Sequence, residues 1–168
     1  AGGSRPATQG RGGRGIARMR ERDGAACAAD IRGQCAKLSA HAAAIRQLAP
    51  ESLANAAARF RERLAKLLEQ AKVTAALNTE TLERELVTMA DRMDIGEELA
   101  RLESHLAQME ATLGAGGEAG KQLDFLTQEL FRETNTMGSK AQDERITHRV
   151  VEMKGLIEKI REQAQNLE

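Results

Sequence analysis

LDFLTQELFRETNTMGSKAQDERITHRVVEMKGLIEKIREQAQNLE, residues 123–168, carries the reading of the fold. In its second half Ile146, Val150, Met153, Ile157, Ile160, Ala164 and Leu167 recur at steps of three and four. That is the heptad stripe of a helix burying one narrow face. In its first half Leu123, Leu126 and Leu130 mark the inward side of another helix over roughly 121–136. The chain breaks at Gly138-Ser139, and Ser139 with Gln142 has capping-box spacing, which predicts a restart at about 140. The two helices therefore meet in a helix-turn-helix corner.

Upstream, GAGGEAG at 114–120 reads as a flexible loop. Asn78 is a candidate N-cap for a long helix over 79–113, with the stripe Leu82, Leu86, Met89, Met93, Leu99, Leu102, Leu106, Met109 and Leu113, interrupted in mid-course by Gly96. A helix over 51–72 turns Leu53, Ala57, Phe60, Leu64 and Leu67 inward. The one before it carries Ile16, Met19, Cys27, Ile31, Cys35, Leu38, Ala42 and Ile45, is weakened by Gly24 and Gly33, and ends at Pro50. Residues 1–15, AGGSRPATQGRGGRG, cannot bury a core and are expected to be disordered. The predicted class is all-α: five helices in long antiparallel hairpins with coiled-coil-like seams and no credible strand. The layout is a tail at 1–15, three helices over 16–113, the loop at 114–120 and a C-terminal helical region at 121–168. The seams at 82–113 and 146–167 also predict self-association.

Composition narrows the function. The 168 residues contain no Trp, no Tyr and three Phe, which favours helices over sheet. No run of 18 apolar residues is present, so a membrane span is not expected. An apolar signal core is also absent, which argues against secretion. Cys27 and Cys35 stand eight residues apart on one predicted helix, about 12 Å of rise. That is too far for a disulfide and fits reduced thiols in the cytoplasm. Net charge is zero, yet residues 1–72 hold 14 Arg/Lys against 6 Asp/Glu, while 73–168 hold 11 against 19. A basic half suits a polyanion. An acidic half can supply metal ligands or pair with the basic half of a neighbour.

Several constellations carry chemistry. Residues 94, 98, 101 and 105 fall on one helical side and bring Asp94, Glu98, Arg101 and His105 together. A salt-bridge face is the competing reading. On the next helix Asp124, Gln128, Arg132 and Asn135 align on one side, Glu129, Glu133 and Thr136 on the adjacent one. Glu129 and Glu133, one turn apart, could share a hard divalent cation, Mg²⁺ or Mn²⁺, with Asp143 as a third carboxylate. Arg132 and Lys140 could steady phosphoryl oxygens. Ser139 reads as a cap. Glu144, His148 and Glu152 read as a solvated ion-pair ladder and His41 as a core or seam residue. Gly10, Gly12 and Gly15 match a dinucleotide fingerprint only by chance, since no strand precedes them, so no small-molecule cofactor is expected. The Arg/Gly run there has RNA-tail composition but reads as a disordered leader.

The 123–168 stretch, with DIGEELARLESHL at 94–106 and RERDGAACAADI at 20–31, resembles the YicC family of bacterial metal-dependent endoribonucleases, over roughly residues 18–168. The resemblance implies cleavage of RNA phosphodiester bonds with a divalent metal, and a homo-oligomer. With the side-chain chemistry above, that expectation makes His105, Glu98, Arg132 and Lys140 the catalytic candidates and Glu129, Glu133 and Asp143 the candidate metal ligands. The resemblance also implies a large N-terminal αβ domain where this sequence has a Gly/Arg-rich tail, so the expectation is the helical half of such an enzyme. With few aromatics, RNA would be held through its backbone by Arg59, Arg61, Arg63, Lys66, Lys72 and Arg101. The alternative is a non-catalytic oligomerisation or RNA-binding module.

Overall fold

A computed structural model describes residues 11–72, 78–116 and 119–167. It contains five helices: α1 Arg11–Gln70, α2 Thr79–Met93, α3 Gly96–Ala115, α4 Gly120–Lys140 and α5 Glu144–Gln165. No strand occurs among the described residues. Five helices were expected and five occur among the described residues, but several boundaries differ.

The first difference is Pro50, which lies inside α1 rather than ending it. A mid-helix proline removes one hydrogen bond and crowds the preceding turn, at about 3 kcal/mol. The helix continues because its inward face continues. Ile31, Leu38, Ala42, Ile45, Ser52 and Ala56 are all buried, and half-buried Ala49 fills the slot between Ile45 and Ser52. These steps of three, four and seven stay in phase through Pro50, which itself points to solvent. Burial on both sides outweighs the single lost bond. Beyond Ala56 the same face continues in steps of four through half-buried Phe60, which lines a cleft with Met89 of α2.

The second difference is that 79–113 is two helices. Asn78 does cap the first, its side chain accepting from the Glu80 N–H at 3.1 Å. At Asp94 the backbone becomes extended, and Asp94 Oδ1 accepts from the Gly96 N–H at 2.9 Å. That bond starts α3 afresh where the stripe carried a glycine.

The core lies where α3, α4, α5 and the middle of α1 pack together. Leu99, Leu102 and Met109 of α3 meet Leu123, Leu126, Leu130 and Met137 of α4 and the Ile146–Ala164 stripe of α5. The α5 seam, expected to face another copy, is turned inward against α1 and α4. At the corner, α4 runs on through Gly138 and Ser139 to Lys140. Gly138 is there for close approach, since a Cβ would stand 3.0 Å from Val150 Cγ1. Ser139 donates back to the Thr136 carbonyl, and Asp143 rather than Ser139 caps α5, accepting from the Arg145 N–H at 2.8 Å.

α1 outruns this core. Its 60 residues span about 90 Å. Residues 12–23 are exposed, Ile16 and Met19 included, as is Leu67 near the other end. Thus Arg11–Gly15, expected to be disordered, form the first turn of α1, while residues 1–10 lie outside the described residues. The charge imbalance between the halves is matched within the chain: Arg32 pairs with Glu110 at 2.9 Å and Arg46 with Glu103 at 2.7 Å.

Candidate metal centre

α3 and α4 are packed neighbours, and their ion pairs cross in antiparallel register. The register sets polar residues opposite one another along one edge of the seam, above a floor of buried leucines and Met109. His105 Nε2 lies 3.9 Å from Glu129 Oε2. One turn on, Arg101 Nη1 lies 3.9 Å from Glu133 Oε2, while its other nitrogen binds Glu97. At the end of the seam Lys140 Nζ donates to Glu98 Oε1 at 2.6 Å and to the Asp94 carbonyl at 3.1 Å.

These crossings differ in kind. The Lys140–Glu98 bond is short and largely buried, with the Glu98 side chain 5% exposed. It joins the last turn of α4 to the first turn of α3, where each charge also suits its helix dipole. The other two are long, and partly or deeply buried. Ligand atoms of His105, Glu129 and Glu133 all lie within 4.8 Å of one another. The Glu133 side chain is 5% exposed and Glu129 is half-buried. Two carboxylates that close, in a site largely shielded from water, repel unless a cation lies between them. Arg101, half-exposed and shared with Glu97, supplies only a distant counter-charge. His105 Nδ1 and Glu98 Oε2 are buried with no hydrogen-bond partner. An imidazole with an unpartnered nitrogen and two carboxylate groups, convergent within 4.8 Å, fit a divalent metal ion.

The sequence candidates divide accordingly. His105, Glu129 and Glu133 come together as a group that could hold a metal ion, so His105, a catalytic candidate in the sequence, stands beside both candidate carboxylate ligands. Glu98 and Lys140 pair with each other at the end of the seam, apart from this cluster. Arg132 is exposed on α4, on the flank next to Glu129. Asp143 stands outside the cluster: it caps α5 and binds the Arg145 guanidinium at 2.8 Å. The Arg145 hydrogen bond holds its carboxyl below the usual range, against the opposing effect of burial.

The basic run does not form one face. Arg59, Arg63 and Lys66 share a side of α1, and Arg61 points away from them. Arg59 donates to the Gln142 carbonyl at 3.1 Å, Lys66 pairs with Glu62 at 3.4 Å, and Lys72 follows the helix end in a left-handed conformation. His41 is half-buried, accepting at Nδ1 from Arg149 at 3.2 Å with Nε2 3.3 Å from Glu152. His148 pairs with Glu152 at 3.2 Å on the surface, as the ion-pair ladder predicted. Cys27 and Cys35 are free thiols. Burial, with Glu110 nearby, pushes Cys35 up to about 11. The clefts elsewhere, such as that between α4 and α5 beside Phe131 and Arg161, hold no comparable acidic cluster among the described residues. What sequence reasoning missed was the pairing of turns: a His and two Glu on separate helices become neighbours only once the register is known.

Comparison with known proteins shows the family of the chain. A family described as "Endoribonuclease YicC-like, C-terminal" matches residues 45–168. A Clostridioides difficile (strain 630) protein described as "Probable endoribonuclease YicC" is 37% identical over 150 residues, covering 89% of this chain and 50% of that protein. A Haemophilus influenzae protein (strain ATCC 51907 / DSM 11121 / KW20 / Rd) with the same description is 45% identical over 108 residues, covering 64% of this chain and 37% of its own length. The chain thus spans half or less of the length of these relatives.

Proposed function

The chain belongs to the YicC-like endoribonuclease family, and from that premise we propose that it cuts RNA internally, using one divalent ion held on the α3–α4 seam. The observation that carries the reading is the convergence of His105, Glu129 and Glu133 within 4.8 Å, beside an unpartnered buried imidazole nitrogen. A bound ion would supply Lewis acidity beside the scissile phosphate. The chain's own residues do the rest. His105, Glu129 and Glu133 would hold the ion, and their mixed nitrogen and oxygen donors would favour Mn²⁺ over Mg²⁺. Arg101, one turn along the seam, exchanges its loose contact with Glu133 for a phosphoryl oxygen. Arg132 meets the backbone from the exposed flank. The leucines beneath exclude water from below, and Lys140–Glu98 pins the far end so that the two helices cannot slide.

The wider reading we propose is a cytoplasmic protein, a compartment that suits the unpaired Cys27 and Cys35. Self-association would draw on the overhanging ends of α1, and sedimentation measures it. The decisive experiment incubates end-labelled single-stranded and stem-loop RNA with the chain in Mn²⁺, Mg²⁺ or EDTA. Internal cuts that require metal, and that disappear in Glu129→Gln and Glu133→Gln at unchanged helicity, are expected. Equal cutting in EDTA would remove the metal mechanism. Binding without cutting under every condition would leave the non-catalytic RNA-binding module.

A further inference from the structure

The chain has three phenylalanines, and two are occupied: Phe60 is half-buried between α1 and α2, and Phe131 is half-buried with Lys154 Nζ 5.8 Å from its ring centre. The third, Phe125, is 57% exposed. It stands on α4 one turn, about 6 Å, before Glu129. Phe125, Glu129, Arg132 and Thr136 follow steps of four, three and four, so they share one flank of the helix. That flank borders the candidate metal centre. An isolated exposed aromatic requires no explanation. One aligned with a carboxylate cluster and a guanidinium does, because ring, cation site and arginine recur there at about the spacing of successive nucleotides.

We infer that Phe125 is a base-stacking platform, and that the substrate is consequently RNA whose nucleotide next to the cleaved bond is unpaired. The inference rests on the ribonuclease reading of the seam. A base in a duplex is already stacked on both faces and cannot lie on the ring; an unpaired one can, whatever its identity. The seam therefore takes single strands, loops or bulges, with little preference among bases.

The sequence permits a direct test, since it holds no Trp and no Tyr. In Phe125→Trp the new indole is the sole strong fluorophore. Its emission is followed on adding single-stranded oligoadenylate, or the same strand annealed to its complement, in Ca²⁺ and in EDTA; the anisotropy of labelled RNA reports binding independently. Quenching by the single strand and little by the duplex is expected. In cleavage assays Phe125→Ala should raise KM about tenfold, the scale of one lost base stack, with kcat nearly unchanged, while Phe125→Trp restores it. Emission that does not move while RNA is bound, or Phe125→Ala cutting at the original KM, would overturn the platform and leave the metal site standing. A change in sedimentation of Phe125→Ala without a change in KM would overturn it too, assigning the ring to a protein contact. Absence of cleavage by the unsubstituted chain is a separate result that strikes the ribonuclease reading itself.

Discussion

Replacing Glu133 by Gln keeps the shape of a buried side chain and removes its charge, so two opposite effects can be read from one variant. Without an ion, the Glu133 and Glu129 ligand oxygens lie at most 4.8 Å apart. At an effective dielectric of ~20 that is a repulsion of about 3.5 kcal/mol. Arg101 returns part of this, but at 3.9 Å, half-exposed and shared with Glu97, its contribution is on the order of 1 kcal/mol. The substitution should therefore stabilise the ion-free protein by about 2–3 kcal/mol, or about 4–12 °C in Tm for a chain of this size. With Mn²⁺ the difference should close. At a hundredfold excess over Kd the unsubstituted chain gains about 2.7 kcal/mol, roughly 5–11 °C, from ion binding. The variant, having lost a ligand, should gain little. The assay is thermal unfolding of both proteins in EDTA and across a Mn²⁺ titration, followed by circular dichroism. A Glu133→Gln protein that shows the full Mn²⁺-induced rise would refute the assignment. One destabilised in EDTA would refute the claim that this charge is under-compensated.

Three further outcomes follow from the packing. Pro50→Ala supplies the missing N–H within α1 and should stabilise by about 1–3 kcal/mol in urea unfolding, since Pro50 is exposed and Ala fits the helix. Cys35, with its thiol raised to about 11 by burial, should react with a disulfide reagent at pH 8 far more slowly than a free thiol in the unfolded chain, so stopped-flow traces should show one slow phase that urea abolishes. Asp143 has its folded value lowered chiefly by Arg145, so its stabilisation is fully present above the unfolded value near pH 4 and is lost as pH falls through the lower folded value. Asp143→Asn, which can still cap α5, should flatten the acid limb of the stability profile below about pH 4 while leaving stability at pH 7 within about 1 kcal/mol.

The sequence made the helices legible wherever periodicity alone decides them. The α5 stripe from Ile146 to Ala164 and the Asn78 cap are local signals, and both hold. Reading failed where a local signal met a long-range one. Pro50 is a strong local stop, overridden by burial of Ser52 and Ala56 against elements far away in sequence. Ser139 with Gln142 has a cap's spacing, yet α4 continues because Lys140 reaches Glu98 and the Asp94 carbonyl, 42 and 46 positions away. Asp143, read as a third carboxylate, was already bound to the residue two places on. The metal candidates were visible as residue types on two separate helices. Their meeting was not, because facing turns depend on the α3–α4 register, and no pattern within either helix encodes that.

A rod of about 90 Å braced only along its middle grades its own backbone stability by position. Amides between Ile31 and Ala56 should exchange with solvent deuterium only when the whole core opens, whereas those near Gly12–Gly15 and Arg61–Gln70 need only local fraying. Trypsin should accordingly clip at Arg18, Arg20, Arg61 and Arg63 long before it reaches Arg32 or Arg46, both held by acidic partners on α3. The product would be a trimmed remnant with the α3–α4 seam intact.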